Sequence, residues 1–410
     1  MAGEGPATIE AGVTHSHYGG SVEYITALLL VLQIAMGRRY LIRRRASWSG
    51  SAWVTVVSAL MFLWCATLAA LFLTGSGTVY TSRAIPVGLR AAIVGVGYCW
   101  ILLSWLGMAG RKVVRSLDAR IPGLYSPARR RWLRAAGVAA VALPSAVIGY
   151  GAFVERNQFG TRELDLPVPD LHPDLDGFRI VQVSDLHVSP FLSVSQAGRV
   201  IDMANELHAD LAVFTGDLIS ELGDPLNDAI RELVRLRASD GVLGCMGNHE
   251  EYIGCRKYLA RKAGLAGQVF LRGTATQIHR GQAVLNIAGV DYQRSGARAN
   301  YLPGAERLIV PGAANLLLSH NPDVFPVAMQ RGFQAVLSGH THGGQINVEI
   351  LHQNINPARF RTPFISGLYR QGRVGEAPGS CFVTNGIGTI GMPIRLGAPP
   401  EIALLRLRRA

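Results

Sequence analysis

Ser338-Gly339-His340-Thr341-His342-Gly343-Gly344-Gln345 follows a short apolar run, Phe333 to Leu337, that reads as a buried strand. A strand that ends in Ser-Gly and then two histidines places imidazoles on a loop at its carboxyl end. In open α/β sheets that edge is where sites are built. His340 and His342 are two apart, so in an extended segment they share a side. The small residues around them let backbone approach a ligand closely. Two histidines alone do not make a metal site; carboxylates and further nitrogens must come from other strand ends.

Four other strand ends supply them. The apolar run Phe178–Val183 is followed by Ser184-Asp185-Leu186-His187, and Leu211–Phe214 by Thr215-Gly216-Asp217. Val242–Met246 leads into Gly247-Asn248-His249-Glu250, and Asn315–Leu318 into Ser319-His320-Asn321. Helical spacing separates the first strands, over Val194–Leu207, Ala229–Leu236 and Tyr252–Ala263. Further strands are expected at Val269–Leu271, Ala283–Val290, Ser380–Val383 and Ile402–Leu407. Alternating strands and helices that give way to a β-rich end indicate a layered α/β domain with mixed sheets.

Any one of these side chains has an ordinary reading. A single histidine is commonly a hydrogen-bonded structural residue, Asp185 and Asp217 could cap helices or turns, and Gly247-Asn248 could be a turn. Five such groups at successive strand ends point instead to metal chemistry. Two divalent ions a few ångströms apart clamp a phosphoryl group and ionise a water, and such a pair needs a bridging carboxylate, for which Asp217 is the natural candidate. Imidazole suits zinc and iron, whereas oxygen donors favour harder ions.

In order, D-x-H, G-D, G-N-H-E, a histidine and G-H-T-H resemble the signature of the calcineurin-like metallophosphoesterases over about residues 178–407. His320-Asn321-Pro322-Asp323, the G-H-T-H-G-G-Q stretch and the segment from Pro393 to Ile402 are similar to the membrane-associated YkuE/YaeI-like branch, which also includes enzymes acting on UDP-diacylglucosamine. The resemblance implies a four-layer α-β-β-α domain holding two divalent metal ions, with Mn, Fe or Zn expected. It implies one ion on Asp185, His187, Asp217 and His342, and a second on Asp217, Asn248, His320 and His340. His249 is implied as the group that contacts phosphate and protonates the leaving oxygen, and Asn248 and His249 as substrate contacts. The implied reaction is in-line attack by metal-bridged hydroxide on a phosphodiester or pyrophosphate. The alternative of another class is a membrane sensor or scaffold whose domain binds metal and phosphate without turnover.

Around this core several residues stay open. Glu250 could orient His249 or cap a helix. Asp210 and Asp291 could support the site or serve structure. Tyr369 in Gly367-Leu368-Tyr369 could face substrate. A Cys245–Cys255 bridge is conceivable, but the five cysteines form no CxxC and no dense framework.

The first 153 residues differ from the rest. Among 410 residues, 49% are hydrophobic and only 17% charged, low against the usual quarter. Residues 22–37, 53–74, 91–110 and 135–153 are expected to be four transmembrane helices, giving an N-terminal α-helical membrane bundle over 1–153, a linker or first edge strand over 154–176 and the catalytic domain over 177–410. The net charge of +12 does not mark a nucleic-acid face, because residues 1–153 hold 15 Lys and Arg against 4 Asp and Glu. The arginine-rich loops after the first and third spans place those loops in the cytoplasm and the domain beyond residue 154 outside it. Arg129-Arg130-Arg131-Trp132-Leu133-Arg134 resembles a twin-arginine export signal and reads equally as an ordinary basic flank. Almost no ionisable residue lies in the spans, which argues against transport. The expected protein is thus a multi-pass cell-membrane protein whose partners are the bilayer and a phosphoester, with lipid-linked phosphoesters among the candidates. UDP-linked precursors become candidates if the domain faces the cytoplasm.

Overall fold

The computed structural model describes residues 127–294, 300–350, 353–372 and 377–410, with a few between 105 and 116. Packing divides the chain into two units, one holding Tyr150–Ala410 and the other Thr14–Gly149. The first two expected spans lie outside the described residues. The third is described only at Trp105, Ala109 and Gly110, which are helical. Helix α1, Pro127–Phe153, covers the arginine stretch and the fourth expected span, and contains Pro144. Among the described residues no helix is long and apolar enough to cross a membrane.

The larger unit is a sandwich of two six-stranded sheets. The first runs β1 (Gly160–Val168), β14 (Glu401–Arg409), β2 (Arg179–Val183), β3 (Leu211–Phe214), β4 (Val242–Gly244) and β5 (Val269–Phe270). The second runs β12 (Gly367–Gln371), β13 (Gly379–Val383), β9 (Ala335–Ser338), β8 (Ala314–Leu318), β7 (Ala283–Gly289) and β6 (Thr274–Arg280). Strands β2 to β5 are mutually parallel, as are β7, β8, β9 and β13. A small antiparallel ribbon, β10 (Val348–Ile350) with β11 (Gln353–Ile355), lies apart from both sheets in the pairing.

Strand sequences explain the layering. Leu211-Ala212-Val213-Phe214 is apolar at every position because both faces are covered. Leu211 and Val213 join Ile180, Leu405, Leu316, Leu337 and Phe382 between the sheets. Ala212 and Phe214 face the other way, onto helices α2 (Val194–Glu206), α3 (Leu226–Leu233) and α5 (Arg256–Gly264). On the far side of the second sheet, Leu317, Val336 and Cys381 pack against Phe325, Ala328 and Met329 of α6 (Phe325–Gln330). The four layers α-β-β-α follow. Gln182, fully buried, donates from Nε2 to Thr215 Oγ1 (2.9 Å) and to the Ser338 carbonyl (3.0 Å), tying the two sheets together beneath the loops that carry the histidines.

Several expectations change in detail. The segment expected as linker or edge strand holds β1, parallel to β14 over nine pairs. The helix expected over Tyr252–Ala263 is two helices, α4 (Asn248–Ile253) and α5, because Gly254 turns left-handed at φ 75° and ends the first. Cys245 and Cys255 are buried free thiols, not a bridge. Strands β6 and β12, rich in polar residues and exposed on one side, carried no apolar run by which to expect them.

Candidate metal and phosphate site

All five expected loops reach one place, at the carboxyl ends of β2, β3 and β4 in one sheet and β8 and β9 in the other. Asp185, His187, Asp217, His340 and His342 all take positive φ, between 49° and 75°. That region is uncommon outside glycine, and Asp and His are among the side chains that tolerate it best. The left-handed turn reverses each strand end and aims its donor inward. Two glycines make the close packing possible. A Cβ on Gly247 would lie 2.1 Å from Asp217 Oδ1, and one on Gly339 would lie 2.2 Å from both Asp185 Oδ2 and Ser184 Oγ.

The donors form two groups, Asp185 with His187 and His342, and Asp217 with His320 and His340, and a third, His187 with Asp217 and His249, links them. In the first, His342 Nε2 is 3.4 Å from Asp185 Oδ1 and 3.2 Å from His187 Nε2. In the second, His320 Nε2 is 3.1 Å from Asp217 Oδ2, 3.0 Å from Asn248 Oδ1 and 3.2 Å from His340 Nδ1. Asp217 joins the groups, since its Oδ2 is also 3.4 Å from His187 Nε2. The outer nitrogens are held from behind. His320 Nδ1 faces the Thr215 carbonyl at 2.7 Å, His342 Nδ1 the Gly388 carbonyl at 3.3 Å, and His187 Nδ1 the Ser220 hydroxyl at 3.2 Å. A carbonyl behind a ring fixes the proton on that side and turns a lone pair toward the centre.

His187 Nε2 and His342 Nε2 lie 3.2 Å apart, each with a carboxylate oxygen at 3.4 Å, and this crowding of buried donor atoms is the observation that tests the site for metal. Burial pushes the Asp185 carboxyl up. Burial works against charge on His320 too, but the Asp217 and Asp185 carboxylates outweigh it and lift that imidazole to about 10. Burial, and then the His320 charge, hold His340 down to about 3. Two carboxylates, an amide oxygen and imidazole nitrogens fit divalent ions of intermediate hardness.

His249 lies beside these groups, half-buried, with its ring edge-on to His187 at 4.7 Å between centroids. Its Nδ1 meets the Ser220 carbonyl and its backbone N–H donates to Asp217 Oδ1 at 2.9 Å. Burial lowers its pKa to about 4, against the pull of Asp217.

The open residues resolve. Glu250 does not touch His249. Its carboxylate accepts from the backbone N–H groups of Asp217 (2.9 Å), Leu218 (2.7 Å) and Gly247 (2.7 Å), so it caps α4 and holds the Asp217 loop at once. Asp210 accepts from Arg179 N at 2.8 Å and pairs with Arg280, and Asp291 is chelated by Arg272 at 2.8 Å on both oxygens. Both serve structure. The Tyr369 hydroxyl accepts from Ile365 N (2.8 Å) and Ser366 N (3.2 Å), and the Ile365 carbonyl accepts from Thr341 Oγ1, so Tyr369 braces the histidine loop from behind.

Two features escaped the sequence reading. A sixth loop, Thr384 to Gly388, follows β13; its Gly388 N donates to the Asp185 carbonyl at 2.7 Å. Asn385-Gly386 at a strand end was a signal of the same kind as the other five. The second is Arg395, fully buried and, among the described residues, without an ion-paired carboxylate. It donates to the carbonyls of Gly388 (3.1 Å), His342 (3.3 Å), Asn385 (2.8 Å) and Ala398 (3.0 Å). Burial lowers its pKa to about 10. Arg395 stands in the Pro393–Ile402 segment that carries part of the family resemblance, but nothing in that segment assigned it a role.

Two layered sheets with carboxylates and imidazoles converging at their shared edge define a metal-site hydrolase fold. Residues 178–344 match the family model described as calcineurin-like phosphoesterase. An uncharacterized metallophosphoesterase, YkuE of Bacillus subtilis, is 30% identical over 269 residues, covering 63% of this chain and 89% of that protein. Phosphodiesterase YaeI of Escherichia coli is 27% identical, over 68% of this chain and 98% of its own length. A transmembrane protein with metallophosphoesterase domain from Danio rerio is 30% identical over 60% of this chain, which spans 57% of that relative. The chain belongs to the calcineurin-like metallophosphoesterase family, a family of metal-dependent phosphoester hydrolases.

Proposed function

We propose that the protein is a membrane-anchored phosphodiesterase or pyrophosphatase acting on a lipid-linked or envelope phosphoester from the extracytoplasmic side. The single observation that carries the hydrolase reading is the double donor group joined by Asp217. In this reading Asp185, His187, Asp217 and His342 would hold one divalent ion, and Asp217, Asn248, His320 and His340 the other. Such a pair, when bound, supplies an activated water and positive charge for the phosphoryl oxygens.

The chain's own residues do the rest. Asn248 brings an uncharged oxygen, which leaves net positive charge for an anionic substrate. His249, beside both groups, is placed to contact the phosphoryl group and to protonate the leaving oxygen; an anion next to it favours the protonated ring that this step needs. The Ser220 carbonyl orients that ring. The name of the Escherichia coli relative supports a diester, and that of the Danio rerio relative supports membrane attachment. The charge-free runs in the first 153 residues and the arginine bias of their loops support the anchor and the outward side.

The test is hydrolysis of a chromogenic phosphodiester by the full chain, with metal content measured for the parent and for Asp217→Asn. Turnover with about two metals per chain, falling at least about 10³-fold in the variant, is expected. Bound metal without turnover of any diester would replace this reading with the sensor.

A further inference from the structure

The short 3-10 turn Pro357–Phe360 carries the most exposed large apolar side chain among the described residues, Phe360, at 94%. Exposed arginines stand on both sides of it, Arg359 and Arg361. Among the described residues neither is ion-paired. The turn itself is held firmly. Asn356, buried, caps it by accepting from Ala358 N at 3.0 Å and donates from Nδ2 to the Gly343 carbonyl at 2.9 Å. Thr362 N donates to the Ala358 carbonyl at 3.1 Å, and Thr362 Oγ1 to Asp323 Oδ1. The tip is thus fastened to the turn His342–Gly344, which holds one of the candidate metal donors.

We propose that Arg359-Phe360-Arg361 is a membrane-docking tip that inserts Phe360 into the interfacial zone of an anionic bilayer and presents the metal site to a lipid-borne phosphoester. The composition selects the occupant. An aromatic ring between two guanidinium groups suits a headgroup boundary, where the ring enters the acyl edge and the cations meet phosphate. Each basic residue near an anionic surface adds attraction. The same chain carries uncharged runs of 19 to 22 residues, so a bilayer is the surface such a tip would meet. Rigidity matters as much as composition. Because Asn356 ties the tip to Gly343, seating Phe360 fixes the distance of the donor loops from the headgroups. The proposal rests on the hydrolase reading above only for its substrate; the docking itself does not.

The experiment uses the full chain in nanodiscs, with Phe360 replaced by 4-trifluoromethylphenylalanine. Its fluorine signal should be broadened by doxyl-labelled lipid and protected from an aqueous gadolinium chelate when the disc contains about 30 mol% phosphatidylglycerol, and less so in phosphatidylcholine alone. Broadening by the chelate alone, in both lipids, overturns the proposal. Protection from both agents overturns it too, since it would mean that protein, such as a second copy of the chain, covers the tip. None of these readouts requires turnover, so a failure of the hydrolase reading would be separately visible. A second arm compares Phe360→Ser and the double change Arg359→Ser, Arg361→Ser with the parent. The ratio of turnover of a vesicle-presented phosphodiester to that of a soluble one should fall about tenfold in either variant. An unchanged ratio overturns the assignment.

Discussion

Glu250 and Arg395 stand on opposite sides of the candidate site and do the same work with opposite charge. Glu250 gathers three backbone N–H groups and so fixes the Asp217 loop against α4. Arg395 gathers four backbone carbonyls and so fixes the His342 turn against the loop after β13. Both are fully buried, and neither is a candidate metal donor. A strand that ends at a helix N-terminus presents surplus N–H groups, which a carboxylate satisfies. The irregular loops around Gly343 and Gly388 present surplus carbonyls, which only a rigid fork of donors can satisfy together. The backbone polarity of each loop, more than the charge of the site, therefore selects its support.

Substitutions can break that comparison or sharpen it. The largest effect after Asp217→Asn is expected from Gly247→Ala. Its methyl group would collide with the Asp217 carboxylate where Glu250 also holds the backbone, and a loss of about 2–4 kcal/mol in denaturant unfolding would follow. Glu250→Gln leaves one backbone N–H facing an amide NH₂. Metal affinity should fall roughly 10–100-fold, measured by competition with a chromogenic chelator. Arg395→Lys keeps the charge and loses the fork, and about tenfold weaker binding of one metal per chain is expected. If the two supports act on separate donor groups, Glu250→Gln and Arg395→Lys add in the double variant; a shared effect would show as strong non-additivity. Ser220→Ala, which removes only the hydroxyl behind His187 Nδ1 and keeps the carbonyl behind His249, should weaken metal binding by about threefold or less.

What could be read from the sequence divides along the same line. The donors sit directly after apolar strands, so Asp185, His187, Asp217, Asn248, His249, His320, His340 and His342 are visible as residues in register with a fold. Their supports are not. Arg395 lies 53 positions beyond His342, in a segment that carried the resemblance without assigning the arginine a role, because its partners are backbone atoms that have no identity in a sequence. Glu250 was visible but ambiguous, because a carboxylate at the third position of a helix reads as a cap, and only the approach of the Asp217 loop shows its second use. Among the strands missed, β6 and β12 are edges with one wet face, where hydrophobic pattern fades.

The left-handed backbone at Asp185, His187, Asp217, His340 and His342 has a consequence for evolution at this site. Each such residue costs of order 1–2 kcal/mol relative to relaxed backbone, so the five together hold the folded domain several kcal/mol above what the same fold could reach. Lineages that abandon the chemistry would gain stability by turning these positions to glycine, and would do so more readily than to alanine. At all five positions Asp or His stands where glycine would fit the backbone at less cost, so donor chemistry and not backbone preference accounts for the residue found there.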